Sequence, residues 1–127
     1  AKDYVEAMWR ILQQDAAEDY VIATGITTYI RDFVRLSFAE AGIKLAFEGK
    51  NENEIAKIVA CNHPDYQLPI GTVVVRVDSQ YYRPTEVDLL IGDPTKSKTQ
   101  LGWVPQYDLA GLVKEMVESD LEILKKT

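Results

Sequence analysis

The sequence predicts a small mixed α/β domain, on three observations. Apolar residues recur every three to four positions in several separate stretches, the mark of helices with one buried face. Between them lie short apolar or alternating runs closed by single glycines, the mark of strands. The chain has 127 residues, which suits a single domain, 1–127, with one small core. The expected architecture has two or three helices packed on a short sheet.

Each element has its own local cause. From Asp3 to Gln14, the residues Tyr4, Val5, Met8, Trp9 and Leu12 predict a helix with one buried stripe. Tyr20-Val21-Ile22-Ala23-Thr24, ended by Gly25, predicts a buried strand. Thr28 is the expected N-cap of a second helix, with the stripe Ile30, Phe33, Val34, Ser37, Phe38 and Ala41, and Gly42 as its stop. Ile43 to Phe47 alternates as a half-buried strand, followed by a polar loop over 48–54. Ile55 to Cys61 and Thr72 to Asp78 predict a hairpin, with Val73, Val75 and Val77 on one face. Its long connection suggests an excursion on the domain's edge that adds no core. Asp93-Pro94 predicts a helix start, Leu101-Gly102 its end, and Trp103 with Pro105 a corner. Asp108 is the expected cap of a last helix, whose stripe is Leu109, Leu112, Val113, Met116, Val117, Leu121 and Leu124.

Charge and composition exclude several functions. A net charge of −6 opposes a sequence-independent nucleic-acid binder, so any anionic ligand needs a local basic cluster. No apolar run approaches the roughly 20 residues that span a bilayer, and no membrane role is expected. Cys61 stands alone, so no internal disulfide forms, and a reducing cytoplasm is the expected compartment. His63 and Cys61 lack further ligands at metal spacing, so no metal site is expected. The seven glycines are scattered singly, with no phosphate-binding loop and hence no cofactor-binding residues. No general base or nucleophile stands out, so no catalytic residue is assigned. Trp9, Phe33, Phe38 and Trp103 fall on apolar stripes or at a corner, as core residues do. A start at Ala1-Lys2-Asp3-Tyr4 with helical periodicity already running reads as a piece of something longer.

The stretch that invites a functional reading is Tyr82 to Lys96. The residue before a proline is pushed toward extended backbone, which fixes Arg83, and Pro84 suits the first position of a helical turn. Arg83 and Glu86, three apart on one turn, would then be neighbours. Such a pair is either a surface ion pair of small energy or a polyol-phosphate clamp. In the clamp the planar guanidinium grips phosphate oxygens and the carboxylate accepts hydrogen bonds from a sugar diol.

Arg83-Pro84-Thr85-Glu86-Val87-Asp88, then Ile91-Gly92-Asp93-Pro94-Thr95-Lys96, then Leu101-Gly102-Trp103, closely resembles the carboxy-terminal part of GDP-mannose 4,6-dehydratases. These belong to the extended short-chain dehydrogenase/reductase superfamily. Ala1 to Trp9, Ile22 to Gly25 and Val75 to Asp78 also resemble the family, and residues 48–71 do so least. The resemblance implies a lyase that uses NADP to convert GDP-mannose into GDP-4-dehydro-6-deoxy-mannose, a step toward GDP-fucose. By position, Arg83 resembles the family's diphosphate-contacting arginine and Glu86 its ribose-contacting carboxylate. The resemblance further implies that this chain is the substrate-binding lobe, that the Rossmann half of the same polypeptide carries NADP and the catalytic groups, and that the whole enzyme is a homo-oligomer. Two other readings stay open. One is the substrate lobe of another nucleotide-sugar epimerase, reductase or decarboxylase; the other is a free-standing, non-catalytic interaction module.

Overall fold

A computed structural model describes residues 1–83 and 89–126. Among them are four α-helices and one three-stranded antiparallel sheet, a small mixed α/β arrangement. Two compact units carry these elements, one from residues 1–28 and the described part of 87–108, the other from the described part of 29–86 and from 109–126.

In the second unit, α2 (Ile30–Glu40) leads through Gly42 into β1 (Ile43–Glu48), β2 (Ile55–Cys61) and β3 (Val73–Arg76), and α4 (Leu109–Lys125) closes the unit against α2. Helix α2 starts one residue later than a Thr28 cap would place it. Tyr29 is extended, with ψ of 140°, and its carbonyl accepts from the Asp32 and Phe33 N–H groups. Gly42 stops α2 with φ of 73°, and its carbonyl accepts from Asn62 N–H at 2.8 Å. A Cβ here would lie 3.3 Å from the Asn62 and His63 backbone as well as forcing a left-handed residue.

The expected edge excursion is instead the centre of this unit. Strand order is β1-β2-β3, and β2 contributes Ala56 and Ile58, both completely buried against Ile43 and Leu45 of β1. Val34, Phe38 and Phe47 pack around them. The connection after β2 adds core too: Tyr66 packs on this cluster and donates its hydroxyl to Ala41 O at 2.6 Å. His63 stacks on Tyr66 at 3.9 Å, and Lys125 pairs with Asp65 at 2.8 Å, which holds the Asp65 carboxyl below its ordinary range.

The strand register is irregular twice. The partner of β1 skips Val59, and the partner of β2 skips Val74. Each extra residue leaves the regular alternation, as a β-bulge requires. Val74 therefore packs on the core beside Val75, and the expected single face of Val73, Val75 and Val77 is broken.

The first unit holds α1 (Lys2–Leu12) and α3 (Thr95–Gln100). Its buried cluster is Ala7, Leu101 and Trp103, with Ile11, Tyr20 and Ile22 packed against it. The predicted helix is present, but the predicted buried stripe is turned outward: Tyr4, Val5, Met8, Trp9 and Leu12 expose from 55% to 80% of their surface. Trp9 is thus not a core residue in this structure, whereas Trp103 is. Tyr20 to Thr24 enters no ladder among the described residues, so the expected strand does not form there. Its alternate side chains Tyr20 and Ile22 nevertheless face the cluster, as the apolar pattern requires. In α4, Val113 is buried and Leu109, Leu112, Val117 and Leu121 are half-buried, while Met116 and Leu124 are exposed.

Helix α3 spans six residues, shorter than its expected two to three turns. Its N-cap is Pro94 and not the expected Asp93, so it starts one residue later than read from the sequence. The Asp93 carboxylate accepts from Thr95 N–H at 2.9 Å and from the Thr95 hydroxyl at 2.5 Å, and these bonds hold its pKa below the ordinary carboxylate value. A depressed folded-state value means the stabilisation is present above the unfolded value of about 3.9 and is lost as pH falls through the folded one. Asp93→Asn should therefore lower the thermal midpoint at neutral pH by an amount that shrinks on acidification below about pH 4. A difference that stays constant across that range would show that the charge of Asp93 plays no part.

Candidate functional site

The arginine singled out by the sequence follows a turn built by one aspartate. Beyond β3, Val77 N–H donates to Glu54 O at 3.1 Å, which keeps the chain beside β2 up to its end. The Asp78 side chain then accepts from Gln80 N–H at 2.9 Å, while its carbonyl accepts from Tyr81 and Tyr82 N–H at 3.0 and 3.1 Å. An aspartate bonding the backbone two residues on replaces the ladder with a turn. Arg83 leaves this turn with an exposed side chain. Pro84, Thr85 and Glu86 lie outside the described residues, and so does the expected pairing of Arg83 with Glu86.

Three other arginines make contacts within the chain. Arg10 bonds Glu6 at 2.7 Å and donates to the carbonyls of Leu101 and Gly102. Arg31 pairs with Glu54 at 2.6 Å, and that carboxylate raises its pKa further. Arg35 pairs with Asp32 at 2.6 Å, and both guanidinium groups of α2 sit over the Phe47 ring.

The motif Ile91 to Lys96 serves packing. Lys96 pairs with Glu18 at 2.7 Å, donates to Asp19 O at 2.9 Å and lies over the Tyr20 ring, tying 18–20 to α3. The Glu18 contact raises the Lys96 pKa. Asp93, just before the N-cap Pro94, bonds Thr95 as described. Ser97, which sequence reasoning passed over, is completely buried and donates its hydroxyl to Val21 O. It sits in the polar run Thr95 to Gln100, which has no apolar period to mark an inward face.

Asp3 was also missed. Its carboxylate accepts from the Gln106 and Tyr107 N–H groups at 3.0 Å, and its carbonyl accepts from Trp103 Nε1–H at 2.9 Å. A cleft of about 440 Å³ lies here, lined by Lys2, Asp3, Glu6, Arg10, Trp103 and Tyr107 among others. The polar contacts of Asp3, Glu6 and Arg10 are made to the chain itself, which fits a structural role. Among the described residues no cluster of three or more His, Cys, Asp or Glu side chains could hold a metal, and no helix is long and apolar enough to cross a membrane. Cys61 Sγ lies 3.7 Å from Tyr66 O in the core of the second unit.

Known proteins resemble this chain along nearly all of it. The family profile for GDP-mannose 4,6 dehydratase matches residues 1–116. GDP-mannose 4,6-dehydratase of Yersinia enterocolitica is 48% identical over 99% of this chain and 34% of its own length. GDP-mannose 4,6 dehydratase of Homo sapiens is 50% identical over 98% of this chain, 31% of its own length. GDP-mannose 4,6 dehydratase 2 of Caenorhabditis elegans is 48% identical over 98% of this chain, 30% of its own length. The chain thus spans about a third of the length of these relatives. It belongs to the GDP-mannose 4,6-dehydratase family.

Proposed function

We propose that this chain is the nucleotide-sugar-binding lobe of a GDP-mannose 4,6-dehydratase of the extended short-chain dehydrogenase/reductase type. In this reading residues 1–127 form one substrate-binding subdomain of a cytoplasmic, homo-oligomeric lyase that turns GDP-mannose into GDP-4-dehydro-6-deoxy-mannose. The observation that carries it is identity of 48–50% to proteins of that name over 98–99% of the chain. The exposed Arg83, set at the end of a turn in a chain of net charge −6, supports the phosphate grip. Glu86 is its partner, accepting from the ribose diol.

NADP, which this chemistry employs to take up and return a hydride, does not fit the residues present. The glycines stand singly, without the clustered backbone N–H groups that cradle a dinucleotide's phosphates, and among the described residues no buried side-chain polar atom lacks a partner. The cofactor and the proton-transfer groups are therefore assigned to the Rossmann half of the same polypeptide.

Two assays test this. The complete polypeptide with GDP-mannose and NADP should yield a 4-keto product lighter than the substrate by one water, detected by mass spectrometry and carbon NMR. An epimerised, reduced or decarboxylated sugar instead would move the chain to a sister reaction. The 127-residue chain alone under the same conditions should yield none, and reproducible turnover by it would overturn the division of labour.

A further inference from the structure

Asp78 is an unexpected residue to find just before an arginine assigned to a diphosphate. The chain already has a net charge of −6, and a further carboxylate in this segment opposes the same anionic ligand. Its bonds supply a reason for it. The carboxylate Oδ1 accepts from Gln80 N–H at 2.9 Å, and the Asp78 carbonyl accepts from Tyr81 and Tyr82 N–H at 3.0 and 3.1 Å. One residue thus takes three consecutive backbone donors, as an N-cap does at the start of a helix. Just upstream, Val77 N–H donates to Glu54 O at 3.1 Å, which ties the turn's entry to the start of β2. Arg83 follows directly, and Pro84 after it has no backbone N–H to add to the turn.

We propose that Asp78 is a positioning residue of the nucleotide-sugar grip: its carboxylate oxygen holds the 78–82 turn in the conformation from which Arg83 meets the diphosphate. The inference rests on the clamp reading above and adds the residue on which the clamp's geometry depends. Asp78 is exposed and belongs to neither buried cluster, so removing its carboxylate loosens the turn and leaves the sheet in place. The two bonds to its carbonyl survive any substitution there, and the turn is weakened and not abolished. When the binding-competent conformation is populated only part of the time, apparent affinity falls by that fraction. Two effects of losing the carboxylate then have opposite signs. Removing a negative charge favours an incoming diphosphate, whereas loosening the turn opposes it. The charge is exposed and screened by water and salt, so the turn decides.

Calorimetric titration of GDP into variants of the complete polypeptide tests this. Asp78→Ala should weaken binding by roughly three- to tenfold, the usual effect of removing a capping side chain expressed as a population. Asp78→Asn keeps an acceptor oxygen at the same reach without the charge, and should bind at least as tightly as the wild type. Asp78→Glu keeps the charge but carries its oxygens one methylene further out, and should lose affinity as Asp78→Ala does. Combined with Arg83→Ala, Asp78→Ala should cost nothing more, because a residue that acts through Arg83 has nothing left to position. Wild-type binding by Asp78→Ala, or by Asp78→Glu where the alanine variant does not fold by circular dichroism, overturns the proposal. So does Asp78→Asn binding as weakly as Asp78→Ala, which would assign the effect to charge, and so does an undiminished loss in the Arg83→Ala background. Arg83→Ala binding like the wild type removes the clamp itself and this inference with it, a failure read from that variant alone.

Discussion

Replacing Arg83 with alanine in the complete polypeptide is expected to weaken GDP-mannose binding by roughly ten- to a hundredfold or somewhat more. The estimate follows from charge. A sugar-nucleotide diphosphate brings two negative charges to a chain already at −6, and a hydrogen bond to a charged group contributes about 1.5 to 3 kcal/mol, against about 1.4 per decade of affinity. Arg83→Lys should restore only part of the loss, since a point charge keeps the attraction but loses the planar fork. Glu86→Gln keeps an acceptor and should cost less than Glu86→Ala. Glu118→Gln is the control: Glu118 lies 3.8 Å from Lys114 in an exposed pair on α4, and removing its charge should not register. Calorimetric titration with GDP reads all five. A folded Arg83→Ala protein that binds like the wild type would end the clamp reading.

The largest stability effect is expected at Ile58. It is fully buried on the central strand, opposite Leu45, so truncation removes contacts from both sides and leaves a cavity that a sheet cannot collapse to fill. Ile58→Ala should cost about 2 to 5 kcal/mol, lowering the urea midpoint by about 1 M or more. Its neighbour Val59, turned out at the bulge and 41% exposed, should lose far less on the same truncation. Equal losses at the two positions would mean that β2 is peripheral after all.

Periodicity was the legible part of the fold, and what covers each face was not. The bounds of β2, Ile55–Cys61, follow from its β-branched run, and the stop of α2 at Gly42 from the need for a left-handed residue. The stripe of α1 was equally clear, yet it points outward here, because a stripe reports only that a helix has an apolar side. Tyr20–Thr24 failed as a strand for a related reason: a strand needs a ladder partner, and no local pattern names one. The β2–β3 connection misled because its length suggested an appendage, whereas Tyr66 pins it to the core through one hydroxyl. At the candidate site, Pro84 and the three-residue spacing of Arg83 and Glu86 marked the region, but the Asp78 turn before Arg83 was hidden by an ordinary Asp-Ser-Gln sequence.

The bonds of Asp3 also set an order of events. Its carboxylate is satisfied by Gln106 and Tyr107, 103 and 104 positions later in the chain, and Arg10 waits on Leu101 and Gly102, 91 and 92 positions later. Contacts this distant close a large loop before they return any stabilisation, whereas the sheet of the second unit is assembled from segments far closer in sequence. On a ribosome, α1 emerges well ahead of the segments that satisfy Asp3 and Arg10. Until Gln106 and Tyr107 are made, the Asp3 carboxylate has none of the backbone partners that the folded unit gives it.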